Sequence, residues 1–459
     1  MKKYSLSKIA EHLNGKLFGK DQLVSNFSID SRTIKKDDVF ICIKGKVYDG
    51  HDFIQDVIQN SSCIITSKNI ENINLKTNSY IKVENTIEAL HNLSKYIRSK
   101  SNAKFIAITG SNGKTTVKEM VAHILSDFKI CYTKGNLNNN IGVPLTIFSI
   151  NQDEDFVIIE IGSNHMGEIE PLAKIVKPDV AAVTNIGFAH IEGFKNLENT
   201  AKEKFSLFKQ LNKDGVSVIN SSDNYDNNFK KGNKLYFGKE YGFIKKFMNK
   251  IKNFPYKTSF LKVNRCEENF YKFSINNKDI DLKLAINGEH NYYNAGCAMS
   301  ICLSLGIEIE HIVKKLENFQ EVSSRLNLYK LEKNIKLIDD CYNANPNSFE
   351  AAITYLSSFD ENKLVLMGDM VELGKDTKTF HAEIGMFAKK RGINKFLSIG
   401  VNSKFASDVF GLNGYHFENA ESLKSYLNNN LESSSVILIK GSRSAKLEEY
   451  VEFLKTRSL

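Results

Sequence analysis

A glycine-rich run of eight residues is the part of the sequence best suited to chemistry. An apolar segment at 105–108 precedes it and predicts a buried strand, while Val117, Val121 and Ile124 follow at the spacing of one helix face. Glycines between a strand and a helix let the backbone approach an anion, and free N–H groups at the helix start point toward it. A lysine and a threonine near its end suit the outer phosphates and Mg²⁺, so the run predicts a nucleoside triphosphate site. Its residues are Thr109, Gly110, Ser111, Asn112, Gly113, Lys114, Thr115 and Thr116.

The run is two residues shorter than the standard P-loop. That pattern would need a glycine at position 108, where this sequence has Ile108. An ordinary turn between a strand and a helix is therefore the alternative. The apolar strand before the run and the amphipathic helix after it favour the phosphate site.

Polar residues also end or follow two further apolar strands. Glu160 lies near the end of the strand predicted at 156–161, and His190 lies in the loop after the strand predicted at 179–184. Ligands of open α/β sheets bind at the carboxyl ends of strands, where a carboxylate suits Mg²⁺. Glu160 is therefore a candidate metal ligand, with a solvated acid as the alternative. His190 is a weaker candidate, because a lone histidine is more often structural, and Lys202 has the spacing of an ordinary surface lysine.

The last third of the chain carries a second set of groups at strand ends. Asp340 closes a predicted strand and could hold a ribose hydroxyl or a metal, while Arg325 upstream could reach a phosphate. The cationic loop 440–444 follows another predicted strand. That loop is either an anion site or a helix-capping turn.

Three regions must position these groups. Residues 1–100 mix short strands and helices, and the spacing of Leu6, Ile9, Ala10 and Leu13 predicts a first amphipathic helix. From residue 101 continuous apolar strands alternate with helices, which predicts a mostly parallel sheet covered on both faces. A second α/β series begins after about residue 320, with strands predicted at 335–339, 363–367, 395–399 and 435–439.

The composition argues against a membrane-spanning, disulfide-rich or zinc-binding protein. The 459 residues are 42% hydrophobic, enough for several cores, yet no apolar run approaches the ~18 residues of a membrane span. Seven scattered cysteines without a Cys-x-x-Cys pair indicate neither a disulfide framework nor a zinc site, and fit a reducing cytoplasm. The net charge of +9 is expected to be spread over a solvated surface. The basic and aromatic stretch 239–262 could bind single-stranded nucleic acid or a membrane, but an amphipathic surface helix or hairpin explains it more simply.

The chain resembles the Mur ligase family of ATP-dependent amide-bond-forming enzymes over nearly its whole length. The shortened phosphate loop and the segments 135–146, 159–162, 184–190 and 290–295 match motifs of that family. The resemblance implies an α/β protein of three domains. These are a small mixed N-terminal domain for a UDP-sugar at 1–100, a central P-loop domain with a parallel sheet for ATP at 101–320, and a Rossmann-like C-terminal ligase domain at 321–459.

The run Tyr342-Asn343-Ala344-Asn345-Pro346 is the most discriminating of these motifs. It resembles the branch of the family that joins D-alanyl-D-alanine to UDP-N-acetylmuramoyl-tripeptide through an acyl phosphate, in peptidoglycan precursor synthesis. The runs 367–374 and 440–444 point to the same branch. The resemblance leaves lysine and diaminopimelate open at the third tripeptide position. The alternatives are another ligase of this type, acting on folylpolyglutamate or cyanophycin, and a non-catalytic regulator that binds a UDP-sugar or a nucleotide.

The resemblance also implies roles for individual residues. Lys114 would contact the β- and γ-phosphates, and a carbamate on Lys202 would join His190 as a ligand of Mg²⁺. We expect a cytoplasmic monomer that takes ATP and both peptide substrates and binds no nucleic acid. The other implied groups are the metal ligands Thr115 and Glu160, the cofactor-binding residues Gly110, Ser111, Asn112, Gly113, Thr116, Asn291, Asn294, Arg325 and Asp340, and the substrate-binding residues Ser31, Arg32, Lys44, Gly45, Asp49, His51, Asn136, Asn138, Asn139, Tyr342, Asn343 and Asn345.

Overall fold

Three large β-sheets follow one another along the chain. The computed structural model describes residues 3–71, 73–223, 225, 233–239, 258–267, 270–275, 278–320 and 324–456. Most of the basic and aromatic stretch 239–262 therefore lies outside the described residues. Among the helices of the described residues, none has both the length and the apolar character needed to cross a membrane.

The N-terminal region forms a five-stranded sheet in the order β2-β7-β6-β5-β4, with β2 antiparallel and the other pairs parallel. The first predicted helix is confirmed, because Leu6, Ile9 and Ala10 are buried and the Ser5 hydroxyl caps the helix start. The strands are β1 (Tyr4–Ser5), β2 (Lys16–Phe18), β3 (Leu23–Val24), β4 (Asn26–Ser28), β5 (Asp38–Ile41), β6 (Cys63–Thr66) and β7 (Ser79–Lys82), and the helices are α1 (Leu6–His12), α2 (Ile54–Val57) and α3 (Thr86–Arg98).

The central region forms a nine-stranded sheet in the order β16-β15-β14-β13-β12-β11-β8-β10-β9. The predicted parallel sheet is confirmed for the strands that lie, in sheet order, from β14 through β8 to β9. Two antiparallel strands that we did not predict, β15 and β16, extend the sheet beyond β14. The strands are β8 (Lys104–Thr109), β9 (Ile130–Tyr132), β10 (Phe156–Glu160), β11 (Val180–Val183), β12 (Val216–Asn220), β13 (Asn233–Gly238), β14 (Thr258–Glu267), β15 (Phe270–Ile275) and β16 (Lys278–Leu282). The helices are α4 (Lys114–Ile124), α5 (Gly142–Phe148), α6 (Ile169–Val176), α7 (Ile191–Phe194), α8 (Leu197–Phe205), α9 (Glu289–Ser304) and α10 (Ile309–Glu317).

The C-terminal region forms a six-stranded sheet in the order β17-β18-β22-β19-β20-β21, parallel except for β17. The second α/β series is thereby confirmed. The strands are β17 (Asn327–Lys330), β18 (Lys336–Asp340), β19 (Asn362–Gly368), β20 (Lys395–Ile399), β21 (Gly414–Phe417) and β22 (Ser435–Lys440), and the helices are α11 (Pro346–Ser357), α12 (Thr377–Lys390), α13 (Lys404–Phe410), α14 (Ala420–Asn430) and α15 (Glu448–Thr456).

Strand register explains how segments that are far apart in the sequence come together at one edge of a sheet. In the central sheet β8 lies between β10 and β11, with Glu160 opposite Ile108 and Val183 opposite Thr109. The carboxyl ends of these three parallel strands therefore share one edge, where ligands of such sheets bind. In the C-terminal sheet β18 and β22 are parallel neighbours, which sets Asp340 beside Lys440.

Candidate active site

A cavity of about 1250 Å³ lies where the carboxyl ends of the central strands face the C-terminal region. It gathers predicted residues from positions more than 200 apart in the sequence. The predicted residues that line it are Ser111, Asn112, Gly113, Lys114, Thr115, Thr116, Asn136, Asn138, Asn139, Glu160, His190, Asn291, Asn294, Arg325, Asp340, Tyr342, Asn343 and Asn345.

The predicted phosphate loop joins β8 to α4. Helix α4 begins at Lys114, and Gly113 before it has a left-handed backbone with φ of 80°. A side chain on Gly113 would also collide with the Asn294 carboxamide, so this position needs glycine both for its conformation and for the close approach of α9. Lys114 Nζ donates to the carbonyls of Gly110 at 2.8 Å and Ser111 at 3.1 Å. Burial lowers the pKa of Lys114, against the attraction of Glu160.

Asn185 holds this loop from the neighbouring strand end. Its side-chain oxygen accepts from the Asn112 N–H at 2.9 Å, and its Nδ2 donates to the Asn112 carbonyl at 3.0 Å. The Asn185 carbonyl accepts from the Ser111 N–H at 2.9 Å. The segment after β11 thus fixes the backbone that is expected to surround the phosphates.

Glu160 is buried at the end of β10, and only one of its two carboxylate oxygens accepts a hydrogen bond from the described residues. Its Oε1 accepts from Asn138 Nδ2 at 2.7 Å, whereas its Oε2 has no hydrogen-bond partner among the described residues. Lys118 Nζ lies 4.0 Å from Oε2, within an ion-pair distance. A buried carboxylate oxygen without a hydrogen-bond donor is costly unless a cation satisfies it. The structure thus presents an oxygen ligand suited to a divalent cation.

The lysine predicted to carry a carbamate lies elsewhere. Lys202 is exposed on α8 and does not line the cavity, so the structure does not bring it to the site. Lys204, two residues later, is buried and donates to Ser163 Oγ at 2.8 Å, and Ser163 lines the cavity. Two residues along a helix turn a side chain by about 200°, which puts Lys202 and Lys204 on opposite faces. Burial, reinforced by repulsion from Lys114, holds the pKa of Lys204 well below its usual range.

The C-terminal region reaches the phosphate loop through Arg325. Arg325 Nη2 donates to Thr115 Oγ1 at 3.2 Å, and its guanidinium lies 4.2 Å from the centre of the Tyr342 ring. Asp340 accepts from the buried Lys440 Nζ at 2.6 Å, and Lys440 also donates to the Asn343 carbonyl at 2.9 Å. Arg325 and the strand end at Asp340 thus line the cavity from the C-terminal side.

Two asparagines at the start of α9 form one wall of the cavity. Both are buried, and Asn294 Nδ2 donates to Asn291 Oδ1 at 2.9 Å. Asn291 in turn donates to the Asn287 carbonyl at 2.6 Å. The Asn294 carboxamide lies against Gly113, which places this pair of asparagines beside the phosphate loop.

The N-terminal substrate residues do not reach this cavity. Ser31, Arg32, Lys44, Gly45, Asp49 and His51 are absent from its lining. Arg32 forms an exposed ion pair with Asp30 at 2.7 Å, and hydrogen bonds from Arg32 lower the pKa of Asp30 to about 2. Asp49 accepts from His51 Nδ1 at 2.5 Å, and hydrogen bonds from His51 lower the pKa of Asp49 to about 2. These residues belong to the N-terminal region and lie outside the lining of the cavity.

His190 contacts the C-terminal region. Its Nδ1 is hydrogen-bonded to the Glu372 carboxylate, and hydrogen bonding to His190 lowers the pKa of Glu372. Among the described residues, no group of three or more His, Cys, Asp or Glu side chains lies close enough to hold a metal ion. A metal here would therefore depend on hydroxyl, carbamate or phosphate oxygens as well.

Comparisons with known proteins agree with this geometry. Three family models match the chain in order: the Mur ligase family catalytic domain at 23–111, the Mur ligase middle domain at 108–302, and the Mur ligase glutamate ligase domain at 324–443. A UDP-N-acetylmuramoyl-tripeptide--D-alanyl-D-alanine ligase of Buchnera aphidicola is 37% identical over 98% of this chain and 97% of its own length. The chain belongs to the Mur ligase family.

Solved structures of Mur ligases share the whole fold. MurF from Acinetobacter baumannii is 27% identical, with a TM-score of 0.88 over 100% of both chains. The MurF ligase of Thermotoga maritima, solved in complex with ADP, is 26% identical, with a TM-score of 0.82 over 94% of this chain and 97% of that one. The three-domain α/β prediction is thereby confirmed, and the protein is a Mur ligase.

Sequence reasoning missed four residues of this Mur ligase site. Lys204 could have been found from helix periodicity, because α8 buries positions 201, 204 and 205 and exposes 202. Asn185 lies in the family-like segment 184–190 and Lys440 in the cationic loop 440–444, but neither residue was predicted individually. Glu372 lies in the family-like run 367–374, but its role could not be predicted from that run, because it depends on a contact with a residue 182 positions away.

Proposed function

We propose that this Mur ligase joins D-alanyl-D-alanine to UDP-N-acetylmuramoyl-tripeptide at the cost of one ATP. One observation supports the proposal most directly: the phosphate loop, Glu160 and the run 342–345 line the same cavity. The names of its relatives support the same substrates. A carboxylate is a poor acyl donor, so the substrate carboxylate oxygen attacks the γ-phosphorus and releases ADP. The dipeptide amine then attacks the acyl carbon and releases phosphate.

The chain's own residues contribute positioning and charge. The Lys114 side chain would leave the loop carbonyls and contact the β- and γ-phosphates of ATP. Arg325 would likewise leave Thr115 and contact the same phosphates. Asn291 and Asn294 would bind the adenine ring, and Asp340 the ribose. Asn136, Asn138, Asn139, Tyr342, Asn343 and Asn345 line the part of the cavity left for the peptide substrates. Closing the C-terminal domain would exclude water, which otherwise hydrolyses the acyl phosphate.

Mg²⁺ fits the residues that are present. Glu160 Oε2 is buried without a hydrogen-bond donor, and Thr115 Oγ1 lies in the same cavity wall. Oxygen ligands of this kind suit the hard cation, which would neutralise charge on the phosphates when bound. His190 would serve a second ion.

We propose Lys204, in place of Lys202, as the carbamylated lysine. A carbamate forms when a neutral amine attacks CO₂, and the lowered pKa of Lys204 supplies that neutral amine. The modification would replace a buried amine near Lys114 with an anionic oxygen ligand. Ser163, which already accepts from Lys204, would mark where that group enters the cavity.

The remaining expectations stay predictions. We propose domain boundaries near residues 100 and 320, where the chain passes from one sheet to the next. The proposed UDP-sugar site consists of N-terminal residues, namely Ser31, Arg32, Lys44, Gly45, Asp49 and His51. A cytoplasmic location fits the unpaired state of Cys42, Cys63, Cys131, Cys297, Cys302 and Cys341. A monomer without a nucleic acid partner is the expected state.

The decisive experiment measures phosphate release from ATP and Mg²⁺, with the UDP-linked tripeptide and D-alanyl-D-alanine added singly and together. We expect release only when both are present, with a pentapeptide product by mass spectrometry and none from Lys114→Ala. Running lysine and diaminopimelate tripeptides side by side would assign the third position. Release with a glutamate or amino acid acceptor instead would favour another ligase of this family. ATP binding without release would favour a regulator.

A further inference from the structure

Glu372 and His190 meet across the boundary between the C-terminal and central domains. The Glu372 carboxylate is hydrogen-bonded to His190 Nδ1. Next to this contact the Glu372 carbonyl accepts from the Glu192 N–H at 3.1 Å. One residue of the C-terminal domain therefore holds both the side chain of His190 and the main chain two residues later.

Both residues of the pair have unusual backbone conformations. His190 has φ of 55° and Glu372 has φ of 62°, in the left-handed region that favours glycine. Such a conformation is strained for a non-glycine residue and persists only where the surroundings impose it. Two of them in direct contact at a cavity indicate that this geometry is selected for function rather than for stability.

Hydrogen bonds with other segments fix the backbone of the run 367–374, which contains Glu372. The Met370 N–H donates to the buried His381 Nε2 at 2.9 Å, and the Val371 N–H donates to Ser442 Oγ at 3.0 Å. Asp369 caps the turn before α13, accepting from the Ser403 N–H at 2.7 Å. The run 367–374 therefore fixes the backbone on the N-terminal side of the strained residue.

We propose that Glu372 is a positioning residue for His190, and that it acts only when the C-terminal domain is docked. Holding Nδ1 fixes the ring and leaves Nε2, which makes no hydrogen bond within the described residues, for the metal. Metal-binding histidines commonly donate their second N–H to a carboxylate in this way. The inference rests on the proposed function, because it assigns His190 to the second Mg²⁺. Completion of that metal site would thereby depend on domain closure.

A double-mutant cycle tests the proposal on the full-length enzyme. The variants are Glu372→Ala, Glu372→Gln, His190→Ala and the double Ala variant, with Glu421→Gln on an exposed part of α14 as the matched control. We expect Glu372→Ala to lower kcat about 10–100-fold while KM for ATP stays within about twofold. The Gln variant, which can still accept from Nδ1, should recover part of the loss. In the His190→Ala background, Glu372→Ala should cost nothing further.

A binding measurement separates this proposal from the proposed function. Mn²⁺ binding in the presence of a non-hydrolysable ATP analogue, followed by electron paramagnetic resonance, should weaken about 10–100-fold in Glu372→Ala and stay unchanged in Glu421→Gln. Additive losses in the cycle, or Mn²⁺ binding by Glu372→Ala equal to the control, would overturn the role of Glu372. Absence of ligation by the wild type would reject the proposed function, and the Mn²⁺ comparison would still decide the role of Glu372.

Discussion

Asn345 of the C-terminal domain and Asn112 of the phosphate loop join their side-chain amides across the domain boundary. Asn345 Nδ2 donates to Asn112 Oδ1 at 2.7 Å, and Asn112 Nδ2 donates back to Asn345 Oδ1 at 3.4 Å. Asn345 is also the N-cap of α11, where its side chain accepts from the Ser348 N–H at 3.0 Å. The same amide therefore starts a helix of one domain and contacts the nucleotide loop of the other.

These two roles of Asn345 can be separated by substitution. Serine caps helices about as well as asparagine, so Asn345→Ser should leave the free energy of unfolding nearly unchanged, whereas Asn345→Ala should lower it by about 1 kcal/mol. Both variants lose the amide pair, and both should lose turnover by about tenfold if each hydrogen bond is worth about 0.5–1.5 kcal/mol. Thermal unfolding and steady-state phosphate release measure the two effects. Full turnover in Asn345→Ser would show that the amide pair plays no part in closure.

Glu160 should be indispensable to turnover but not to folding. Replacing it with glutamine keeps the shape of the side chain and its contact with Asn138, yet removes the charge that would attract Mg²⁺. We expect kcat to fall by at least about a hundredfold, as for other groups that stabilise transition-state charge. Binding of ATP without Mg²⁺, measured by calorimetry, should stay the same.

The matched control for Glu160 is Glu170→Gln, which removes a surface carboxylate paired with Lys174 at 3.0 Å. Exposed pairs of this kind contribute little, about 0–1 kcal/mol, so its turnover should equal that of the wild type. Turnover of Glu160→Gln within a few-fold of this control would exclude Glu160 as a metal ligand.

The two lysines of α8 should behave oppositely. Lys204→Ala should lower turnover at least about a hundredfold, because it removes the buried site of the carbamate, and Lys202→Ala should leave turnover unchanged. Carbon-13 NMR of enzyme in labelled bicarbonate should show a carbamate signal that is lost in Lys204→Ala only. A signal lost in Lys202→Ala instead would restore the original assignment.

The carbamate also predicts a pH dependence. Only the neutral amine reacts with CO₂, and the pKa of Lys204 is held well below its usual value by burial and by Lys114. The amine is neutral above that lowered pKa and becomes protonated below it. We therefore expect turnover to fall as the pH drops, and added bicarbonate to restore part of it near neutral pH. Turnover that is insensitive to bicarbonate at every pH would contradict the carbamate.

Asp223 gives a separate pH prediction for stability. Burial raises its pKa from 3.8 to about 8, while its carboxyl accepts from the Ile186 N–H at 2.9 Å. Between these two values the folded state keeps a proton that the unfolded state has lost, so the free energy of unfolding falls as the pH rises from about 4 to about 8.

An Asp223→Asn variant isolates this effect. The amide keeps the acceptor for Ile186 but does not titrate, so the variant should gain stability relative to the wild type as the pH rises through that window. A gain on the order of 1 kcal/mol or more between pH 5 and pH 8 is expected, since each unit of pKa shift corresponds to about 1.4 kcal/mol. Chemical denaturation at several pH values measures it. A constant difference between the two proteins would show that Asp223 titrates normally.

The sequence by itself determined the chemistry of the central site. Strand, glycine turn and helix start are local patterns, so the phosphate loop at 109–116 and the strand end at Glu160 could be read from neighbouring residues. Parallel pairing then made their convergence predictable, because parallel strands end at a common edge. The polar stretch before Asp340 suggested Arg325, and the family motifs added the run 342–346; Arg325 and residues 342–345 line the same cavity.

Only the tertiary structure decided which side chains face that cavity and what holds them there. The face of α8 depends on what packs against it, and that selects Lys204 over Lys202. The pairs Asn112–Asn345 and His190–Glu372 join residues 233 and 182 positions apart, and no local pattern carries such a separation. Docking of the domains creates these contacts, because burial and hydrogen bonding between distant surfaces exist only once the chain has folded.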